Sequence, residues 1–253
     1  MINYIFSDLR RSFISWKFMI SVMGVVFTFY LLGIRPISSY SIVSSYHYNI
    51  FQMQVLLVYI FCIMSYGDNL CQDIECRFYQ LLIIRGKTNY YGISKAVVVF
   101  LSAVLTMFLG TGLHLLILKI QYPDAPWITK GYEWGGMFDS FILNQKYITH
   151  ILLCSLQLGF LTGILALVCT LASLYIANRL LTLSLPIISY YILCYVSEIF
   201  FGIYSFGYIY DPWYIVWENE IFSFLIMIFV TIVLFLILTK FIVERLKRRL
   251  AHD

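Results

Sequence analysis

Two long runs of apolar residues limit what this chain can fold into. Residues 96–118 and 221–239 contain no Asp, Glu, Lys or Arg, and each is close to the roughly 20 residues that a helix needs to cross a membrane. Backbone N–H and C=O groups find no partner in hydrocarbon, so such a run is expected to form a helix. Four further segments fit the same pattern. The six predicted spans are 18–34, 48–66, 96–118, 148–172, 183–206 and 221–239.

The composition excludes an ordinary soluble protein. Of the 253 residues, 61% are hydrophobic and only 12% are charged, whereas a soluble domain carries about 25% charged residues. A soluble enzyme, a nucleic-acid-binding module or a disordered scaffold would need about twice this charge. We therefore predict an all-α polytopic membrane protein that is surrounded by membrane lipid and has no nucleic-acid partner.

The distribution of basic residues predicts that both termini face the cytoplasm. With the N-terminus inside, 13 of the 17 Lys and Arg residues lie in inner segments and the other four in outer segments. This asymmetry is typical of membrane proteins, whose cytoplasmic loops carry the excess of positive charge. The six cysteines then lie in spans or on the inner side, where we expect no structural disulfide.

Three segments are predicted to lie on the cytoplasmic side outside the spans. Residues 1–17 have apolar side chains at three- and four-residue steps and Arg10 and Arg11 on the other side, which is typical of an interfacial amphipathic helix. The loop 68–95 contains a second amphipathic helix, with Leu70 and Ile74 in its apolar stripe and Asp73 on its polar side. Headgroups or a groove on a cytoplasmic partner would have to cover that stripe. Residues 240–253 form a basic tail, so the six-span domain is 18–239.

No pattern of a catalytic, cofactor or metal site stands out. Residues 85–88 contain the GKT ending of a phosphate-binding loop, but Leu81 replaces the first glycine of that pattern. The pattern also needs a preceding strand, and here a helix is predicted. Cys71 and Cys76 have no second pair, so they are a weak metal signal. We expect the chain to be no enzyme and to bind no cofactor itself.

Two titratable residues fall inside predicted spans, where charge is costly. His114 is interpreted as a neutral side chain that hydrogen-bonds to a neighbouring helix. Glu198 precedes an aromatic-rich stretch that includes Tyr204, Trp213 and Trp217, and Tyr and Trp favour the membrane–water boundary. Residues 198–217 are therefore expected to form a kinked or re-entrant outer end, where Glu198 either lines a path or is simply hydrated.

Small residues recur every four positions in the fourth predicted span, at Ser155, Gly159 and Gly163. Small side chains at this spacing allow two helices to approach closely. The pattern predicts a packing surface between helices and no transport chemistry.

The order of these features resembles the permease subunit of a type-2 ABC exporter. In the family's cytosolic loop, an acidic helix leads into LL-x-x-R and then S-K before the third span. The matching residues are 81–86 (LLIIRG), followed by 90–91 (YY) and 94–95 (SK). Cys76 and Arg77 depart from the small residue, often glycine, that follows the acid in many members. The layout resembles the family over the whole chain, whereas the motif covers only this loop.

The resemblance implies a non-enzymatic half of a transporter in the bacterial cytoplasmic membrane. Two permeases, identical or homologous, would bind two ABC ATPase subunits that hold ATP and Mg, and the loop helix would act as a coupling helix seated in an ATPase groove. The residues expected to dock there are Asp73, Ile74, Glu75, Arg77, Phe78, Leu81, Leu82 and Arg85. The outer gate or path would be formed by Glu198, Tyr204, Trp213 and Trp217. The substrate would be amphiphilic, with a hydrophobic or antimicrobial peptide favoured over a lipid or drug.

Two other classes of function remain open. A secondary transporter or channel would use Glu198 and His114 as its intramembrane ionisable groups, although such proteins usually show an inverted repeat or several charges within spans. An integral membrane enzyme would need a cluster of acid, His or Ser residues at the inner ends of its spans. Asp73 and Glu75 alone do not supply one.

Overall fold

The computed structural model describes residues 2–32, 41–51, 55–76, 88–128, 135–176, 178–217 and 219–252. Within these ranges the regular structure is entirely helical, which confirms the all-α prediction. The helices are α1 (Ile2–Phe13), α2 (Trp16–Leu32), α3 (Ile42–Phe51), α4 (Val55–Met64), α5 (Asn69–Glu75), α6 (Thr88–Gln121), α7 (Asp139–Leu143), α8 (Tyr147–Ser173), α9 (Arg179–Phe201), α10 (Phe206–Tyr210) and α11 (Glu220–His252), with a 3₁₀ turn at Gly202–Tyr204.

Four of the described helices, α6, α8, α9 and α11, are long and apolar enough to cross a membrane. Helices α1 and α2 together would make a fifth span with a bend of 54° between them. The predicted span 48–66 falls on α3 and α4, which are separated by residues 52–54, outside the described residues. The helices are thus compatible with the predicted multi-pass membrane protein, and the count of six spans stays a prediction.

Helix α8 lies at the centre of the bundle. In its most apolar stretch 72% of the residues are buried inside the chain, compared with 17% in α11 and 11% in α9. Its most extensive contact is with α6, which also packs against α2, and α9 and α11 pack against α8 as well. Helices α9 and α11 therefore leave most of their apolar side chains to lipid or to another apolar surface.

The small residues of α8 face α6 at close range. A Cβ built on Gly163 would lie 2.6 Å from the Phe100 ring, and one on Gly159 would lie 3.4 Å from Val104. Ser155 is fully buried, and its hydroxyl donates a hydrogen bond to a backbone carbonyl of its own helix at 2.8 Å. The absence of side chains at the two glycines lets the central helices approach each other closely.

Candidate functional site

One end of the bundle holds a buried group of charges, the Lys95 cluster, which consists of Asp8, Arg11, Asp73 and Lys95. The Lys95 side chain is only 1% exposed, and its Nζ lies 3.1 Å from Asp8 Oδ1 and 2.9 Å from Asp73 Oδ2. Arg11 Nη2 lies 2.8 Å from the other Asp73 oxygen, Oδ1. Two carboxylates thus face two cations, so the cluster is neutral as a whole. Burial of such charges is tolerated only when each has a partner.

Neutral polar groups complete the shell around Lys95. The ammonium group donates hydrogen bonds to Asn69 Oδ1 at 2.7 Å and to the Tyr66 hydroxyl oxygen at 3.1 Å. It also lies 5.0 Å from the centre of the Tyr66 ring. A buried ammonium needs several acceptors because its water has been removed. These contacts supply them from Tyr66, which lies between α4 and α5, and from Asn69, the first residue of α5.

The two carboxylates also accept hydrogen bonds from hydroxyl groups. Ser94 and Tyr66 donate to the two oxygens of Asp8, at 2.9 Å and 3.1 Å. Tyr91 donates to Asp73 Oδ2 at 3.0 Å. Both tyrosine hydroxyls therefore act as donors next to negative charge. Networks of this kind hold a unique geometry when their members are satisfied.

Sequence spacing explains how α1 contributes two members. Asp8 and Arg11 are three residues apart on α1, so they lie on one face of the helix. Burial lowers the pKa of Arg11, but its attraction and hydrogen bond to Asp73, together with its attraction to Tyr66 and Asp8, raise the pKa above its usual value. Arg11 is therefore a fixed positive charge at the edge of the cluster.

Helix α5 is connected by ion pairs to four other helices. Besides the contacts of Asp73 with α1 and α6, Asp68 at its N-cap lies 2.7 Å from Lys17 of α2. Glu75 at its C-terminal end lies 3.4 Å from Arg179 of α9. Lys17, Lys95 and Arg179 each lie within the first turns of their helices. A displacement of α5 would therefore act on the beginnings of α2, α6 and α9 together.

A polar cleft of about 520 Å³ opens beside this cluster. It lies between α1 and α5, with Arg11, Gln72 and Cys76 among its walls, and Arg179 closes one side. Cys71 lies on α5 next to the cleft residue Gln72. Burial and the nearby Glu75 carboxylate raise the pKa of its thiol to about 11, so the thiol stays protonated near neutral pH. The cleft offers positive and hydrogen-bonding groups to a charged side chain from outside the chain.

The residues expected to dock are placed differently from one another. Asp73 and Ile74 are 1% and 6% exposed, so both are buried against the rest of the chain. The helical pattern predicts that Asp73 lies on the polar, outward side of α5. In the structure its carboxylate instead points inward, where it forms an ion pair with the Lys95 ammonium. Glu75 is exposed beside Arg179. The remaining predicted residues, Arg77, Phe78, Leu81, Leu82 and Arg85, lie outside the described residues.

The predicted outer gate residues lie at the other end of the bundle, in two places. Glu198 is exposed on α9, which ends at Phe201, three residues further along. Tyr204 and Trp217 are in ring contact, with centroids 5.5 Å apart. Trp213 instead lies against the His47 ring, at 5.8 Å. The structure thus brings Tyr204 and Trp217 together and places Trp213 with a buried histidine.

The chain changes direction after α9 through Gly202. This glycine has φ +56° and begins the 3₁₀ turn that leads into α10. Positive φ is readily adopted by glycine and disfavoured for other residues. The break in this aromatic-rich segment therefore depends on a residue without a Cβ.

His114 is buried in α6 and lies 5.5 Å from the Phe29 ring. Neither of its ring nitrogens has a hydrogen-bond partner among the described residues. The hydrogen bond to a neighbouring helix that the sequence suggested is thus absent from the described contacts.

Sequence reasoning missed the Lys95 cluster as a site. The signal that points to it is the position of Lys95 directly before the uncharged run 96–118, because a charge at the edge of a span needs a partner. The sequence does not indicate which residues are the partners, since Asp8 and Asp73 are 87 and 22 residues away from Lys95.

Comparisons with known proteins give no further guide to this site. No protein-family model matches the chain, and no curated protein or solved structure matches it either. A functional proposal therefore depends on the residues and on their geometry.

Proposed function

We propose that this chain is the permease subunit of an ATP-driven exporter of the type-2 ABC class. It would cross the bacterial cytoplasmic membrane six times with both termini in the cytoplasm. Two copies, or one copy and a homologue, would bind two ATPase subunits that hold ATP and Mg. The chain itself would not be an enzyme and would form the path for an amphiphilic substrate, with a hydrophobic or antimicrobial peptide favoured over a lipid or drug.

The observation that carries this proposal is the connection of α5 to four helices. A transporter driven by a separate ATPase needs a contact element that passes movement to its spans. Helix α5 is only seven residues long, yet ion pairs join it to α1, α2, α6 and α9. Because Asp73 and Lys95 are buried partners, separating them would leave uncompensated charge. Movement of α5 is therefore expected to carry the attached helices with it.

The charge distribution supports a cytoplasmic position for α5. The Lys95 cluster contains Arg11 and Lys95, and Lys17 and Arg179 lie at the same end of the bundle. These residues belong to the 13 basic side chains that the positive-inside rule assigns to the cytoplasm. An ATPase in the cytoplasm would then meet the exposed Glu75 and the cleft beside it.

The exposure of α9 and α11 supports pairing with a second permease. Only 11% and 17% of their most apolar stretches are buried inside the chain. A second copy could cover part of these faces, and lipid would cover the rest. In this arrangement Glu198, Tyr204 and Trp217 would lie near the outer end of the path.

Glu75→Lys is expected to remove most of the bound ATPase. The change reverses the charge of an exposed residue at the proposed contact, and like charges brought together at an interface cost several kcal/mol. Since about 1.4 kcal/mol corresponds to tenfold in affinity, we expect the ATPase recovered per chain to fall about tenfold or more. The measurement is purification of the tagged chain from its native cells in mild detergent, followed by quantitative mass spectrometry and an ATP-hydrolysis assay.

Glu244→Lys is the matched control for this experiment. Glu244 is another partly exposed acid that pairs with a basic residue, Lys240, at 3.9 Å. Its charge reversal should leave the recovered ATPase unchanged, and both variants should insert as the wild type does because exposed ion pairs contribute little to stability. If equal amounts of ATPase are recovered with the Glu75→Lys variant and with the wild type, α5 is not the docking element. A homogeneous wild-type particle without any ATPase would contradict the exporter and favour the secondary transporter or channel.

A further inference from the structure

Three potential metal ligands converge near the start of α8, at the opposite end of that helix from the Lys95 cluster. They are His47 of α3 and His150 and Cys154 of α8, and their ligand atoms all lie within 4.8 Å of one another. His150 and Cys154 are four residues apart, so they project from the same face of the helix. All three side chains are buried, with exposures of 1%, 0% and 0%.

We propose that His47, His150 and Cys154 bind one thiophilic metal ion, either copper(I) or zinc(II). His47 Nε2 lies 2.9 Å from His150 Nε2, which in turn lies 3.7 Å from Cys154 Sγ. Around a tetrahedral zinc ion with usual bond lengths, neighbouring ligand atoms lie about 3.3–3.6 Å apart. These two separations differ from those values by less than about half an ångström, and the third, between His47 and Cys154, is no longer than 4.8 Å. Side-chain rotations would bring the three ligand atoms to the distances that an ion needs.

The orientation of His150 fits the role of a ligand. Its Nδ1 lies 3.1 Å from the Phe138 carbonyl oxygen. A proton on Nδ1 donates to that carbonyl and leaves the lone pair of Nε2 directed at His47 and Cys154. Metal-binding histidines are commonly oriented in this way by a backbone carbonyl. With this tautomer the proton of the 2.9 Å contact belongs to His47 Nε2. Binding of an ion therefore requires His47 to carry its proton on Nδ1 instead and the Cys154 thiol to release its proton to solvent.

The backbone at Phe138 is also unusual. Phe138 has φ +67°, a left-handed conformation that is uncommon for a residue with a bulky side chain. Such conformations persist where the surrounding structure holds them, and they cluster at functional sites. Here the conformation occurs at the residue whose carbonyl accepts the hydrogen bond from His150.

The ligand set favours copper(I) of the two ions. A thiolate and two neutral imidazoles around copper(I) have no net charge, whereas the same ligands leave zinc(II) with one positive charge. A buried site favours the neutral combination. Zinc would also take a fourth ligand. Asp211 is a source of compensating negative charge for zinc. Its Oδ1 accepts a hydrogen bond from the backbone N–H of Trp213 at 3.0 Å, and the Trp213 ring contacts the His47 ring.

The direct test is the metal content of the full chain purified in detergent. Cells would be grown with added copper or added zinc, and metal per chain would be measured by mass spectrometry. We expect about one ion per wild-type chain, and a fall of at least about fivefold in Cys154→Ser and His150→Ala, which each lack one of three ligands. A third growth with copper and zinc added together at equal concentration distinguishes the ions, because the preferred ion is the one that the purified chain retains.

Two variants control for changes at other buried residues. Cys169→Ser alters another buried cysteine of α8, and His114→Ala removes another buried histidine. Both should keep the wild-type metal content. If the wild type contains no more metal per chain than Cys154→Ser and His150→Ala, the proposal is wrong.

A spectroscopic measurement on the wild type keeps the test independent of how the variants fold. X-ray absorption spectroscopy of the metal-loaded wild type should show one sulfur and two imidazole nitrogen neighbours around the bound ion, whether it is copper(I) or zinc(II). A monodisperse wild-type sample in which the bound ion has no sulfur neighbour would also overturn the metal site. Neither measurement involves an ATPase, so this proposal stands or fails separately from the exporter.

Discussion

Lys95→Met is expected to lower the free energy of unfolding by about 3–5 kcal/mol, the cost of removing one partner from a buried ion pair. The substitution leaves the carboxylates of Asp8 and Asp73 in the protein interior without their shared cation. Arg11 remains 2.8 Å from Asp73, but its side chain is 42% exposed. The loss should be visible as a much lower Tm in detergent.

A second substitution tests whether unpaired charge is the cause. Lys95→Met combined with Asp8→Asn restores neutrality, because Arg11 and Asp73 still form an ion pair. We expect the double variant to recover part of the lost Tm. With Asp8→Asn measured alone as well, the cycle gives the coupling energy between the two sites. A loss caused only by removal of the aliphatic part of Lys95 would not be recovered by a change at Asp8.

Lys240→Met is the matched control. Lys240 carries the same charge on the same side chain, but it is 75% exposed and lies 3.9 Å from Glu244. Exposed pairs of this kind contribute about 0–1 kcal/mol, so the control should have nearly the wild-type Tm. If Lys95→Met and Lys240→Met shift Tm equally, the Lys95 cluster does not hold α5 in place.

The long apolar helices could be predicted from the sequence within a few residues. The predicted span 148–172 corresponds to α8, Tyr147–Ser173. The start of α6 shows where the prediction was incomplete, since the helix begins at Thr88 rather than near residue 96. Its first turns are polar, but Tyr91, Ser94 and Lys95 find partners in the cluster. Partners on other helices allow a helix to continue through residues that hydropathy assigns to a loop.

The two clusters could not be predicted because their members are distant in the sequence. His47 and His150 are 103 residues apart, and only the helix that carries His150 was predicted, since His47 lies just before the predicted span 48–66. Within α8 the spacing of His150 and Cys154 was available, but one pair of residues at that spacing is common in helices. For Asp73, the local helical pattern favoured the polar face, and the opposite orientation arises from ion pairs with α1 and α6. Tertiary contacts overrode the local pattern there.

Gly163→Leu is expected to lower the free energy of unfolding by about 3 kcal/mol, at the upper end of the usual range for overpacked cores. A Cβ at this position would lie 2.6 Å from the Phe100 ring. That ring is stacked on Phe160 at 6.2 Å and meets Phe235 edge-on at 5.4 Å, and it also borders an apolar cavity of about 340 Å³. The added side chain must therefore either displace the ring from these two contacts or push α8 away from α6. The measurement is Tm in detergent together with the fraction of monodisperse protein.

Gly112→Leu separates this clash from other effects of replacing glycine. Both glycines lie in long helices, where Leu has a higher helix propensity than Gly by roughly 0.5–1 kcal/mol. No atom lies within 4 Å of a Cβ built on Gly112, so that variant should match or exceed the wild-type Tm.

In the Gly163→Leu background, Phe100→Ala should recover part of the loss because it removes the ring that the new side chain meets. Equal Tm values for the two leucine variants would mean that α6 and α8 do not depend on close approach at Gly163. Because α6 carries Lys95 and α8 carries His150 and Cys154, a separation of these helices is expected to disturb both clusters, and the metal content of Gly163→Leu should fall with its Tm.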